Sequence, residues 1–213
     1  MDIKRFVCNM LEENCYVVSD ETQECIIIDC GAQYPEEQQA ITKYIDDNKL
    51  TPRHLIVTHG HIDHNFGNRA IYEAYGLKPE ASADDMSLME SLKEQAQSIA
   101  GITLDHDLPP VGKYLTEQDV ISFGHHQFTI LKTPGHSRGS VFYYCEAERV
   151  TFSGDTLFRH SIGRTDFAGG SMFQMIQSLR MISQLPDDVK VYPGHGDATT
   201  IGTELAENPY LDR

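Results

Sequence analysis

The chain has 213 residues, enough for one domain that buries a sizeable core without disulfide or metal staples. Hydrophobic residues make up 40% and charged residues 23%, which excludes disorder, collagen and coiled coil as descriptions of the whole. The formal charge is 17 − 32 = −15, a field that repels phosphate backbones and disfavours nucleic acid as a partner.

The N-terminal stretch is interrupted by Asn9, Glu12, Glu13 and Asn14, so it lacks the apolar core of a signal peptide. Within it and after it, Arg5–Cys8, Cys15–Ser19 and Cys25–Asp29 read as short strands separated by polar turns. Pro35–Asn48 reads as a helix, with Ile41, Tyr44 and Ile45 on one face and Pro35 at its first position. His54–Thr58 is a short apolar run that fits a buried strand, and Asn65–Tyr75 a helix stopped by Gly76. Ala83–Ala100 is expected as one amphipathic helix, with Asp84 and Asp85 complementing its dipole. Thr103–Tyr114 carries Pro109, Pro110 and Gly112 and reads as a loop. Strands are expected at Asp119–Phe123, Gln127–Lys132, Ser140–Cys145 and Arg149–Phe152, a helix at Met172–Gln184, and a last strand at Val189–Tyr192 before a glycine-rich loop and an irregular tail. No repeat, linker or membrane-length apolar run occurs, so the expectation is a single domain over residues 1–213, of mixed α and β class, with no membrane partner. Five cysteines, an odd number without CxxC spacing, fit a cytoplasmic protein without a disulfide framework or thiolate zinc site.

The placement of the histidines carries the chemistry. His59-Gly60-His61-Ile62-Asp63-His64 follows the strand HLIVT and packs four ligand-type side chains into six residues. Residues two apart in an extended chain face the same side, so His59 and His61 can share one metal, while a turn sends Asp63 and His64 toward a second. Three further strands end in the same way, at Gly135-His136, Gly154-Asp155 and Gly194-His195. A single Gly-His pair is usually only a turn. Four strand ends carrying seven imidazole or carboxylate donors suit Zn, Fe or Mn.

The segments THGHIDH, TPGHS, SGDTLF and PGHG resemble the metallo-β-lactamase superfamily in its glyoxalase II-like (hydroxyacylglutathione hydrolase-like) branch, and GRTDF at 163–167 and ATTIG at 198–202 extend the likeness. The resemblance implies an α+β fold, a four-layer αββα sandwich with a dinuclear metal site at one edge. It implies two divalent ions, zinc first and iron or manganese as alternatives. Carried over by position, His59, His61 and His136 hold one ion, Asp63, His64 and His195 the other, and Asp155 bridges them. Asp63 and Asp155 are the carboxylates implied in catalysis, Asp29 supports the ligands from behind, and Arg164 contacts substrate. The implied reaction is attack of a metal-held hydroxide on the carbonyl of a small-molecule thioester, whose thiolate leaves without needing a proton. Nothing implies an oligomeric state.

Glyoxalase II proper carries a C-terminal helical segment that helps bind glutathione, whereas only 18 residues follow His195 here. The metal site is therefore expected to transfer and the glutathione site is not. A persulfide dioxygenase, which shares GRTDF, would use one iron on His59, His136 and Asp155, but PGHG and ATTIG favour the dinuclear hydrolase. A β-lactamase usually has Cys or Ser where Asp155 stands, and hydrolysis of a lactone or β-lactam is kept as a further alternative. His54, His106, His125 and His126 read as structural or surface residues, His160 as a minor candidate to line the pocket, and Cys30 as a packing residue.

Overall fold

In the computed structural model, which describes residues 1–211, the chain opens with an antiparallel meander of β1 (Asp2–Cys8), β2 (Glu13–Ser19) and β3 (Glu24–Ile28). Every residue of β2 is buried, as befits a strand covered on both faces. Helix α1 (Pro35–Asp47) begins with a proline at its first turn and a capping box, in which Glu37 accepts from the Tyr34 amide at 3.1 Å. It crosses over so that β4 (Thr51–Ile56) lies parallel to β3. Helix α2 (Asn68–Tyr75), β5 (Pro79–Ser82), α3 (Met86–Glu90), α4 (Leu92–Ala100) and β6 (Lys113–Leu115) complete a six-stranded sheet in sequential order.

The second sheet is antiparallel through β7 (Val120–Phe123), β8 (His126–Lys132), β9 (Val141–Cys145) and β10 (Val150–Gly154). After a small hairpin, β11 (Leu157–Phe158) and β12 (Ser161–Ile162), helix α5 (Met172–Ile182) returns the chain to β13 (Lys190–Pro193), parallel to β10. β14 (Thr199–Thr200) and α6 (Ile201–Glu207) follow, giving the order β14-β13-β10-β9-β8-β7.

Val18, Ile26 and Ile56 of the first sheet pack against Phe123, Phe128 and Tyr143 of the second. Ile41, Ile45 and Ile71 of α1 and α2 cover the outside of the first sheet, while Met175, Leu179 and Ile201 of α5 and α6 cover the second. The layers are helix, sheet, sheet, helix, the αββα sandwich that the resemblance implies. Among the described residues no helix is long and apolar enough to cross a membrane.

Several elements differ from the sequence reading. The single helix expected over 83–100 is a 3-10 turn (Ala83–Asp85) followed by α3 and α4, broken at Ser91, whose φ is −107°. The break turns Gln95 so that its amide donates to the carbonyls of Leu88 at 2.8 Å and Gly60 at 3.1 Å. The strand β6 starts inside the segment read as loop, the helix α6 lies in the irregular tail, and β5 falls where the sequence predicts no element. The helix expected from Asn65 starts at Asn68, because Ile62–His64 forms a 3-10 turn first. β3 ends one residue short of Asp29, which takes the left-handed conformation with φ 51°.

Candidate metal centre

The histidine loop is built from the end of β4. Thr58 donates its amide to Asp29 Oδ1 at 2.7 Å and its hydroxyl to Asp29 Oδ2 at 2.6 Å, which joins the ends of β3 and β4. Downstream, Gly60 N donates to Asp85 Oδ2 at 2.9 Å, Ile62 N to Gln95 Oε1 at 3.1 Å, and Asn65 Nδ2 to the His61 carbonyl at 2.6 Å. The loop carrying His136 hangs on the same carboxylate: Ser137 Oγ donates to Asp85 Oδ2 at 2.6 Å and Gly139 N to Asp85 Oδ1 at 2.7 Å. Asp85 thus ties two histidine loops together while itself only 1% exposed. Sequence reasoning gave it to a helix dipole and gave Gln95 no role, and no local pattern marks either residue.

Glycine is sterically required at Gly135, where a Cβ would strike the Met175 backbone, and at two further motif positions. A Cβ on Gly194 would strike the Asp155 carboxylate and the His64 ring. Gly154 has φ +49°, and a Cβ there would strike the Thr58 side chain.

All seven residues expected as ligands converge. His59, His61, Asp63, His64, His136 and Asp155 are buried, and His195 keeps a quarter of its side chain exposed. Donor atoms within 4.8 Å of one another form the sets His59–His61–His136, His59–His64–Asp155 and Asp63–His64–His195. Asp155 lies between them, with Oδ1 3.4 Å from His64 Nε2 and Oδ2 3.5 Å from His136 Nε2 and 3.6 Å from His195 Nε2. Asp63 Oδ2 is 3.3 Å from His195 Nε2 and 3.6 Å from His64 Nε2. His59 Nε2, His64 Nε2 and Asp155 Oδ1 are buried with no hydrogen-bond partner. Buried polar atoms without partners are costly and rare, and three of them aimed at one space are what cation binding resolves. The donor set, imidazole nitrogens with two carboxylates, fits two divalent ions, whether zinc, iron or manganese.

Three of the rings are anchored on their far side, while His61 Nδ1 pairs with His136 Nε2 at 2.8 Å within the cluster. His64 Nδ1 faces Asp29 Oδ2 at 3.0 Å, His136 Nδ1 donates to the Arg164 carbonyl at 2.7 Å, and His195 Nδ1 donates to the Leu11 carbonyl at 2.9 Å. Such partners fix which nitrogen is free for a metal. Asp29 thus stands behind the cluster, bridging Thr58 and the outer nitrogen of His64. Glu13 was not singled out by sequence reasoning, yet it is fully buried 3.8 Å from His64 Nδ1, and burial pushes its carboxyl well above the usual range.

Burial and the neighbouring imidazoles of His64 and His136 hold His59 well below its ordinary pKa, and burial with His136 pushes His61 down to about 4. Neutral imidazole is the metal-binding form. Burial opposes the charge on Asp155, but the His64 and His195 imidazoles outweigh it and hold its carboxyl well below the usual range. Burial likewise opposes charge on His64, and the carboxylates of Asp155, Asp63 and Asp29 outweigh it and raise its pKa.

Arg164 is placed differently from the other candidates. Its guanidinium grips Asp166 with two hydrogen bonds of 2.7 Å, lies 4.2 Å over the Phe167 ring, and is 61% exposed. Phe167 in turn packs edge-on against His61 at 5.0 Å. The side chain thus sits beside the mouth of the cluster, already paired, while its carbonyl anchors His136. Of the remaining histidines, His54 pairs with Glu80 at 2.6 Å and His160 with Glu207 at 2.9 Å, away from the donor sets. His126, expected at the surface, keeps only 10% of its side chain exposed.

A model of the metallo-beta-lactamase superfamily matches residues 9–195. The hydroxyacylglutathione hydrolase GloC of Haemophilus influenzae is 33% identical over 214 residues, covering 100% of this chain and 99% of that protein. Among solved structures, the BLEG-1 B3 metallo-beta-lactamase is 32% identical with a TM-score of 0.88, covering 99% of both chains. TTHA1623, solved in a di-iron-bound form, is 32% identical with a TM-score of 0.86, covering 98% of this chain and all of that one. With its sandwich fold and its converging donor sets, the chain belongs to the metallo-beta-lactamase superfamily.

Proposed function

We propose that this protein is a dinuclear metal-dependent hydrolase of activated acyl substrates, acting as one domain. His59, His61 and His136 hold one ion, Asp63, His64 and His195 the other, and Asp155 lies between. The observation that carries this reading is Asp155, whose two oxygens face histidines of both sets, beside buried donor atoms that have no other partner. Two divalent ions bound there would supply hydroxide at neutral pH and polarise a carbonyl.

The chain's own residues do the positioning. Asp29, the Arg164 carbonyl and the Leu11 carbonyl hold His64, His136 and His195 by their outer nitrogens. Asp63 lies beside His195 and His64 at the more exposed side of the cluster, and those imidazoles outweigh its burial and hold its carboxyl below the usual range. Phe167 packs edge-on against His61 and His136 on their side of the cluster.

Two substrate classes fit a site of this kind. A thioester is supported by the relative named as a hydroxyacylglutathione hydrolase. A cyclic amide or ester is supported by the likeness to a B3 metallo-beta-lactamase, which covers nearly all of both chains. The second class draws on structure as well as sequence and so has the broader support. An oxidative reaction on a persulfide, which would use a single iron held by His59, His136 and Asp155, stands as the named rival.

The test is a substrate panel on the metal-replete protein: a chromogenic β-lactam, a lactone, S-lactoylglutathione and a thioester of a small thiol, with oxygen uptake followed on a thiol persulfide. Hydrolysis of at least one acyl class without oxygen uptake supports the proposal. Oxygen consumption with persulfide and no acyl hydrolysis overturns it.

A further inference from the structure

At the opposite ends of the strands that lead to the metal cluster, the turn between β2 and β3 meets the hairpin between β7 and β8, one from each sheet. His125 N donates to Asp20 Oδ2 at 2.8 Å and Gly124 N donates to Glu24 Oε2 at 2.7 Å, so the two turns are already held in register. Into this junction His126 projects from the start of β8. Its side chain is only 10% exposed, and among the described residues its ring nitrogens approach carboxylates without forming a hydrogen bond. Nε2 stands 3.7 Å from Asp20 Oδ2, and Nδ1 stands 3.4 Å from Glu148 Oε1. Donor atoms of Asp20, Glu21 and His126 lie within 4.8 Å of one another.

These separations are informative. A closed charge-assisted hydrogen bond would bring nitrogen and oxygen to about 2.7–2.9 Å. Two donors on one divalent ion, each about 2.1 Å from it, stand about 3–4 Å apart. We propose that Asp20, Glu21 and His126 form a peripheral site for a divalent transition ion of the zinc class, which pins the two sheets together at the end remote from the catalytic cluster. The imidazole donor selects zinc, nickel or copper over magnesium and calcium. Glu148 faces the other ring nitrogen and orients the ring, as carboxylates behind metal-bound histidines do. Three protein donors leave part of the coordination to solvent, so the ion binds less tightly than at a four-ligand structural zinc site.

The experiment is a calorimetric titration with zinc chloride of protein whose catalytic sites are already loaded, with the thermal midpoint recorded in parallel. The wild-type chain should take up one further equivalent and gain thermal stability from it. His126→Gln should lose that equivalent and that gain, and Glu148→Gln should bind it roughly 10-fold more weakly, both with acyl hydrolysis unchanged. Should His126→Gln fail to fold, Glu21→Gln, an exposed position, must weaken the same equivalent. No further equivalent in the wild type, or one that keeps its affinity in His126→Gln and Glu21→Gln, overturns the proposal.

Discussion

Asp155 is the residue on which the chemistry turns, because it is the carboxylate within 3.6 Å of histidines from both donor sets. Asp155→Ala should cost more than the roughly 10–100-fold in activity that loss of an outer partner costs, and elemental analysis should find fewer than two metals per chain. Arg164 is a weaker lever. It is exposed and already committed to Asp166, and exposed charge contacts contribute little. Arg164→Ala should raise KM several-fold for carboxylate-bearing substrates and leave metal content unchanged, and kinetics on a neutral substrate supply the control. Equal losses on both would assign the residue to holding its loop. The histidines also set a pH dependence in the metal-free chain. His61, pushed down to about 4, and His59 stay neutral in the fold but take up protons in the unfolded chain below the ordinary value of 6.5. The unfolded state then binds more protons between about pH 4 and 6.5, so stability should fall as pH drops through that window. His64 and His195 are shifted upward, so their contribution is constant below pH 6.5 and is lost only at higher pH. Thermal melts of chelated protein should show the slope, and His61→Gln should flatten it. That these seven side chains meet was legible in the sequence because each stands just after a strand's end beside a turn. Asp85 was not, because it works across 25 and 54 residues of sequence to reach Gly60 and Gly139.

The helical segment after β5 shows how the same limit acts on a larger unit. Met, Leu, Glu and Lys favour one continuous helix there, and Ser91 still breaks it, its hydroxyl bonding back to the Ser87 carbonyl at 2.9 Å. The tertiary demand is Gln95, which satisfies the amide of Ile62 and the carbonyl of Gly60 in the histidine loop. Gln95→Ala should weaken metal binding roughly 10–100-fold, with the packing of Leu92 and Ala96 kept and the thermal midpoint of the metal-free protein little changed. Competition with a chromophoric chelator measures this. The strands β5 and β6 escaped notice because they are short and parallel, with β6 at the sheet edge, so that pairing rather than pattern defines them. Helix α6 escaped because its start signal, Thr200 capping Thr203, sits just after a glycine-rich loop that reads as irregular.

On the scale of the molecule, the sandwich brings seven residues spread from 59 to 195 to one edge by ending four strands there. The bond from Thr58 to Asp29 joins β4 to β3, and the bond from the Asn14 amide to the Gly194 carbonyl at 2.7 Å joins the first sheet to the last histidine loop. The layer order followed from the family resemblance more than from periodicity, which gives elements but not which sheet each strand joins. The central claim, a dinuclear centre, is tested most directly by counting and identifying the metals in protein purified without added metal. Two equivalents tightly held, and lost together with activity on chelation, are predicted, with any further zinc removable through His126→Gln. One equivalent of iron, unchanged when His195 is replaced by alanine, would contradict the account.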